Sequence, residues 1–596
     1  MINILKNFLK SNRYTFLVGK GILSLKRNGI KYTYHKALSV LKKDKNSSPV
    51  ESHYKLFLKS NKEKYNGNLK FSILTPLYNT PINFLEEMIE SVLNQTYQNW
   101  ELCLVDASDE QHKNIGEVIS KYLNKDSRIK YNKLDRNLGI SENTNKCLKM
   151  AIGDYIGLLD HDDLLVPDAL YENYKRILEK NCQVLYSDEC HISLDGYLVN
   201  HFYKPDWNID LLYCQNYVCH FLVAQKDLLE NIKGFDKECD GAQDYDLILR
   251  LSELTDKIEH IPKVLYLWRE SATSTANNSY AKPYAHFAGI KALNKHIKKF
   301  YSNQAIVQEG KFLFTYDVVF ENKNNVKVSI IIPFKDKAEL TYQCVESIVK
   351  NTNYNNFEVL LLNNRSVENE TKTILEKISQ KYENVKIYDA DFDFNWSKLN
   401  NFGVSKSTGD VFVFLNNDTK IISKDWLNRL VGDATRDNVG VVGALLKYED
   451  DSIQHAGVVV GMFGVADHIF KGMYPIHQNS PYVSPVLSRN VLAVTGACMA
   501  ISKKTLNKIG NFDEEFIICG SDVEICLRAY EYGLLNKYNA FVELYHLESK
   551  SRDSYIPEID FICSMRAYDK YLKYGDPYYN INLDLNSYEP REKVNG

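Results

Sequence analysis

Long apolar runs are missing from this sequence. No stretch reaches the roughly 18 apolar residues that a membrane-spanning helix needs, and the N-terminus has neither the apolar core nor the cleavage site of a secretory leader. Cysteine occurs 12 times but never as Cys-x-x-Cys, and Cys103, Cys147, Cys498 and Cys526 each sit singly inside apolar segments, which fits a reducing compartment. Gly-x-Gly-x-x-Gly turns and Walker loops are absent too, which disfavours a dinucleotide dehydrogenase and a P-loop ATPase. A cytoplasmic setting is therefore expected.

What is present is globular. The chain has 596 residues, 44% hydrophobic and 25% charged, too long for one core and too apolar for disorder. Its net charge of −3 is unevenly spread: residues 1–66 hold 15 Lys and Arg against 3 Asp and Glu, so the remainder carries −15. An acidic body argues against nucleic acid as a partner. The basic stretches "INILKNFLK" and "GILSLKRNGIKYTYHKALSVLKK" have apolar residues interspersed. Such an arm could lie on an anionic membrane at its inner face, or dock on the acidic body.

The chain also repeats itself. "FSILTPLYNTP" (71–81) returns as "VSIIIPFKDKA" (328–338), "IESVLNQTYQNWELCLVDAS" (89–108) as "VESIVKNTNYNNFEVLLLNNRS" (345–366), and "GFDKECDGAQDYDLILR" (234–250) as "NFDEEFIICGSDVEICLR" (511–528). The order is the same in both halves, so a domain of about 250 residues is duplicated, unlike a short-period solenoid. The expected division is a basic helical arm (1–66), two domains (67–325 and 326–580) joined at the polar "ENKNNVK", and a tail (581–596). Each half opens strand, turn, helix, strand, the pattern of a doubly wound α/β sheet.

"GDYIGLLDHDD" (153–163) sets Asp160, Asp162 and Asp163 at the end of a short apolar strand, and "GDVFVFLNNDT" (409–419) repeats it with Asn416, Asn417 and Asp418. Open α/β sheets bind ligands at that end of their strands, and clustered carboxylates repel unless a hard cation compensates. Asp162 or Asp163 could instead cap the helix that "LLVPDALYE" begins. Asp106 and Asn363 end the second strand of each half. Two polar clusters at adjacent strand ends could grip one nucleotide, one at the base or ribose and one at the diphosphate.

These motifs, together with "VLYSDE", "IPKVLYLWR", "IQHAGVVVGMFGVADHIFKG", "TGACMAISKKTLNKIGNFDEEF" and "VELYHLESKSR", resemble the inverting family 2 glycosyltransferases. The likeness covers about residues 70–560 and is similar to tandem GT-A proteins of bacterial surface-polysaccharide clusters. It implies two Rossmann-like GT-A domains that use nucleotide-diphospho-sugars (UDP- or dTDP-sugars) and a divalent metal, Mn²⁺ or Mg²⁺. By the same resemblance Asp162, Asp418 and His546 are metal ligands. Pro76, Tyr78, Asp106 and Asp160 in the first half, and Pro333, Asn363 and Asn416 in the second, contact the nucleotide sugar. Asp244 and Asp522 are the bases, although helix capping explains them as well.

Departures from the family pattern are visible. Asn416 replaces an acid, Ser521 stands where an acid or amide usually precedes the base, Leu267 stands where the first half should carry a histidine, and Phe334 takes the place of Tyr78. The absence of Gln-x-x-Arg-Trp and of spanning helices disfavours a processive membrane synthase. The expected acceptor is a lipid-linked saccharide of a growing cell-surface glycan. A glycosylated protein, or one catalytic half with the other a binding platform, are the alternatives.

Overall fold

The computed structural model describes residues 53–58, 63–270, 283–302, 304–321, 325–476, 480–547 and 556–593. Most of the expected basic arm therefore lies outside the described residues. Within them, Tyr54 anchors a short helix by donating its hydroxyl to Glu87 at 2.8 Å.

The first half forms a sheet of nine strands: β1 (Phe71–Leu77), β2 (Trp100–Asp106), β3 (Ile129–Lys133), β4 (Tyr155–Leu158), β5 (Leu164–Leu165), β6 (Val184–Ile192), β7 (Leu198–Phe202), β8 (Val223–Gln225) and β9 (Ile258–Arg269). Their order is β3-β2-β1-β4-β8-β6-β9-β5, with β7 on β6. A hairpin of β10 (Ala305–Glu309) and β11 (Tyr316–Phe320) follows.

The second half repeats the design with β12 (Val328–Phe334), β13 (Phe357–Asn363), β14 (Val385–Asp389), β15 (Val411–Leu415), β16 (Thr419–Ile421), β17 (Val439–Lys447), β18 (Ile453–His455), the hairpin β19 (Val458–Val460) and β20 (Ala466–His468), β21 (Arg489–Asn490), β22 (Cys498–Ser502) and β23 (Leu535–His546). Its order, β14-β13-β12-β15-β22-β17-β23-β16, matches the first sheet strand for strand. In both, four parallel strands meet an antiparallel fifth.

The apolar runs of the sequence follow from this layering. All seven residues of β1 and all seven of β2 are buried, because helices cover both faces of the parallel part. The repeated Gly-Asp ahead of β4 and β15 has a packing cause. Ser72 donates to Glu101 at 2.6 Å and accepts the Gly153 N–H at 2.8 Å. Ser329 does the same with Glu358 at 2.7 Å and Gly409 at 2.9 Å. A Cβ at Gly153 would lie 2.7 Å from the Lys70 carbonyl, and one at Gly409 2.7 Å from the Ser329 nitrogen, so no larger residue fits beneath this buried polar lock.

The halves share one continuous apolar core that includes Leu211, Tyr213 and Phe320 of the first and Val494, Tyr538 and Met499 of the second. Buried charges cross the same boundary: Arg436 meets Asp210 at 2.6 Å, Lys537 lies 3.2 Å from Asp210, and Arg429 reaches Asp317 on β11 at 3.0 Å. Past the helix Glu558–Tyr574, the chain returns to the first half. Asn580 donates to Asp188 at 3.0 Å, Asn582 to the Pro262 carbonyl at 3.0 Å, and Tyr203 to Glu592 at 2.6 Å.

Candidate functional site

The carboxyl ends of β1, β2 and β4 place Pro76, Asp106 and Asp160 side by side. Register sets Leu77 against Asp106 and Asp106 against Lys133. Asp106 is buried, accepts from the Ser108 N–H at 2.8 Å and the Tyr131 hydroxyl at 2.9 Å, and lies 3.2 Å from the Lys133 ammonium. Tyr78 next to it is 47% exposed, a free ring face at the rim. In the second half Asn363 stands against Asp389 and donates to it at 2.9 Å, while its own oxygen takes the Ser366 N–H at 3.2 Å. An Asp–Lys pair has become an Asn–Asp pair.

The register also corrects one expectation. Pro333 matches Pro76, but Phe334 matches Leu77, since each opposes the polar residue ending the next strand. Lys335 therefore corresponds to Tyr78, and Phe334 is buried in the core. Arg365 is an extra residue in the second half: Ser108 accepts the Asn79 N–H and Ser366 accepts the equivalent Asp336 N–H, so one residue more separates Ser366 from its strand. It adopts φ 56° and spans Asp391 and Asp393, each at 2.7 Å.

Neither Asp162 nor Asp163 caps a helix; the helix Ala169–Lys180 begins after Asp168. Asp163 is buried with both oxygens engaged, one accepting from the Tyr266 hydroxyl at 2.7 Å and the other from the Arg269 N–H at 2.7 Å. Burial first, then Asp162 and Asp160, pushes its carboxyl well up from the ordinary range. Burial also raises the Asp162 carboxyl, with His161 opposing and Asp160 adding to the rise. Ligand atoms of Asp160, Asp163 and His220 lie within 4.8 Å of one another. That Asp/Asp/His donor set, with Asp162 alongside, suits a hard or borderline divalent cation such as Mg²⁺ or Mn²⁺.

In the second half His546 reaches Asp418 with Nε2 at 3.2 Å and Asn416 at 3.3 Å, while its buried Nδ1 has no hydrogen-bond partner. The pairing of β16 with β23 sets Thr419 opposite His546. In the first half Leu164 opposes Leu267, and one step along that register Asp163, the counterpart of Thr419, faces Trp268. The residue that replaces the histidine is thus Trp268. Leu267 is fully buried.

Asp244 lies in the first turn of the helix Gln243–Ser252, whose N-cap is Ala242, so it is not the capping residue. Asn216 donates to its Oδ2 at 2.8 Å. Burial raises its carboxyl; His220 opposes that and Asp160 adds to it. Asp522, after Gly520 at the start of Ser521–Glu531, accepts the Gly496 N–H at 2.8 Å and the Val523 N–H at 2.9 Å. His468 lies within electrostatic reach of Asp522, and its ring meets that of His455 edge-on at 4.7 Å. Burial drives both imidazoles down from the usual histidine range.

His220 and Asn216 were not singled out in the sequence. The repeat offers a signal for His220: aligning "FLVAQKDLLENIKGFD" with "CMAISKKTLNKIGNFD" sets it opposite Ala497, and the strand register agrees, pairing Tyr155 with Gln225 and Val411 with Ser502.

Similarity to known proteins follows the duplication. The model of the family described as "Glycosyl transferase family 2" matches residues 72–228 and 329–510. The uncharacterized protein y4gI of Sinorhizobium fredii is 38% identical over 533 residues, covering 87% of this chain and 58% of that protein. The O-antigen biosynthesis protein RfbC of Myxococcus xanthus is 37% identical over 519 residues, covering 86% of this chain and 40% of that protein. The chain thus spans 58% and 40% of the lengths of these two relatives. Among solved structures, S. aureus TarS 1–349 in complex with UDP matches 39% of this chain and 66% of its own, with 21% identity and a TM-score of 0.32. The two matched regions lie on two equivalent sheets, and the chain belongs to glycosyl transferase family 2.

Proposed function

We propose that each half is a metal-dependent, inverting transfer site, and that the two add sugars from nucleotide-diphospho-sugars to a growing cell-surface glycan. The observation that carries this reading is that the charges of His220 and Asp160, two members of one possible cation-binding group, both act on the buried Asp244 carboxyl: a base lies within electrostatic reach of a diphosphate-binding cluster. Asp106 and Tyr78 would hold the base of the donor nucleotide, and Asp160, Asp163 and His220, with Asp162 alongside, would hold the cation; Asn363 and the Asn416/Asp418/His546 group would serve the second half. When bound, Mn²⁺ or Mg²⁺ supplies positive charge to the departing diphosphate. The acceptor hydroxyl gives its proton to an Asp244 oxygen as its own oxygen bonds the anomeric carbon. The bond from that carbon to the diphosphate breaks on the opposite face, and configuration inverts.

The polysaccharide setting is supported by the O-antigen biosynthesis protein among the relatives. A second reading, with the second half a platform that holds the acceptor, is favoured by Asn416, which removes one carboxylate from that cluster. Hydrolysis of a panel of UDP-, dTDP- and GDP-sugars by the full chain, with and without EDTA, tests the proposal. Metal-dependent release of a nucleoside diphosphate supports it, and no turnover of any donor, or turnover undiminished by EDTA, contradicts it.

A further inference from the structure

Apart from His161 within the acid motif itself, each half brings one imidazole to the acid cluster from a later part of the chain, and the two come from different strands. In the second half it comes from the end of β23, as His546, and the place ahead of β22 is taken by Ala497. In the first half the β23 position is Trp268, and a histidine stands instead ahead of β8, as His220. The exchange is reciprocal, so the first site has not lost a histidine. Resting on the reading that these clusters hold a divalent cation, we propose that His220 supplies to the first site the nitrogen donor that His546 supplies to the second.

Three features fix His220 for that role. Its ring stacks on Tyr266 with centroids 4.5 Å apart and planes 10° apart, and meets Trp268 edge-on at 5.2 Å. Tyr266 in turn holds Asp163 through its hydroxyl at 2.7 Å, so imidazole and carboxylate are set by one aromatic side chain. The loop behind is clamped by Lys204, which is fully buried, pairs with Glu189 at 2.9 Å, and donates to the Val218 carbonyl at 2.6 Å and to the His220 carbonyl. A buried lysine spent on carbonyls at this turn makes the ring's position a built feature.

The distances fit the chemistry. Ligand atoms of an octahedral cation bound at about 2.1 Å stand about 3–4 Å apart, and those of Asp160, Asp163 and His220 lie within 4.8 Å. Trp268 has no donor for a metal and instead walls the ring that does. Neither histidine position alone describes the pair of sites; together they give each half one nitrogen donor from beyond the acid motif.

Pulsed EPR of Mn²⁺ bound to the full chain in the presence of UDP reads this directly, through the ¹⁴N coupling of an imidazole ligand. In His546→Ala the coupling should persist, and adding His220→Ala should abolish it while Mn²⁺ stays bound about 10–100-fold more weakly, the scale for losing one supporting group. In the His546→Ala chain, His220→Gln, which keeps bulk at the stacked position, should lose the coupling equally, and Trp268→His in the His220→Ala, His546→Ala chain should restore it. Coupling that persists without both histidines, or that vanishes in His546→Ala with Mn²⁺ still bound, overturns the assignment alone. Failure of wild type to bind Mn²⁺ overturns the metal reading with it.

Discussion

Asp210 of the first half and Arg436 of the second lie 2.6 Å apart, both buried, with Lys537 3.2 Å from the same carboxylate. The two cations hold the Asp210 carboxyl far below the usual range against the cost of burial, and Asn490 donates to its other oxygen at 2.7 Å. Two sheets tied by such a group, and by one continuous core, form a single body.

Removing the carboxylate should therefore destabilise both halves together. Asp210→Ala leaves Arg436 and Lys537 short of a buried counter-charge and should cost about 3–5 kcal/mol. Urea unfolding followed by both fluorescence and circular dichroism should give one transition, shifted to lower midpoint, in place of an early loss of only one half.

The proposed metal dependence of the first half requires Asp162. Asp162→Ala should slow its transfer at least about a hundredfold, the scale for one strong electrostatic stabiliser. Initial rates with and without EDTA measure this, and full activity of the variant in EDTA would contradict it.

The strand ends proposed to hold the nucleotide carry different charges in the two halves, with Asp106 beside Lys133 in one and Asn363 beside Asp389 in the other. Asp106→Ala should weaken UDP at one site per chain by about 10–100-fold, the value of a charged hydrogen bond, without changing nucleotide binding to the other half. Calorimetric titration of the variant with UDP and dTDP distinguishes one affected site from two.

Asp576 carries a pH dependence. It is buried, and burial raises its carboxyl to about 7 although the Tyr578 and Val460 N–H groups favour the charged form. From about pH 4, where a free Asp ionises, up to about 7, the unfolded chain releases this proton and the folded chain keeps it. Its effect on stability therefore falls as pH rises through that window and is constant above it. Asp576→Asn should raise the melting temperature relative to wild type more at about pH 8 than at about pH 5.

The duplication, the strand ends and the acids were legible because each rests on local pattern: apolar runs bounded by Gly-Asp, and polar clusters following them. The offsets were not. Leu267 stands in for Trp268 in the sequence reading because antiparallel register fixes that partner across a long intervening stretch between β5 and β9; Phe334 stands in for Lys335 only by its aromatic likeness to Tyr78, since the repeat of "FSILTPLYNTP" as "VSIIIPFKDKA" already sets Lys335 there and the register agrees. His220 escaped for a related reason. It stands just ahead of β8, the antiparallel neighbour of β4, and the pairing of those two strands, distant in sequence, is what brings it beside Asp160. Asp163, adjacent to the motif, is engaged by Tyr266 and Arg269, more than a hundred residues on, a bond that no local pattern announces.

The basic arm belongs to the outcome only through experiment. If it lies on an anionic surface, deleting residues 1–60 should weaken sedimentation with anionic liposomes and leave transfer to a soluble short acceptor intact. Unchanged sedimentation would favour docking on the acidic body.

The central claim is that two sites work, each with its own base. Asp244→Asn and Asp522→Asn keep the shape of the side chain but cannot take the acceptor proton. Mass analysis of the products made from acceptor and mixed donors by each variant tests the claim most directly. Two different truncated products, with the full product restored when the variants are mixed, is the result expected. An unchanged product from either variant would show that its half does not perform a transfer, and would contradict the account.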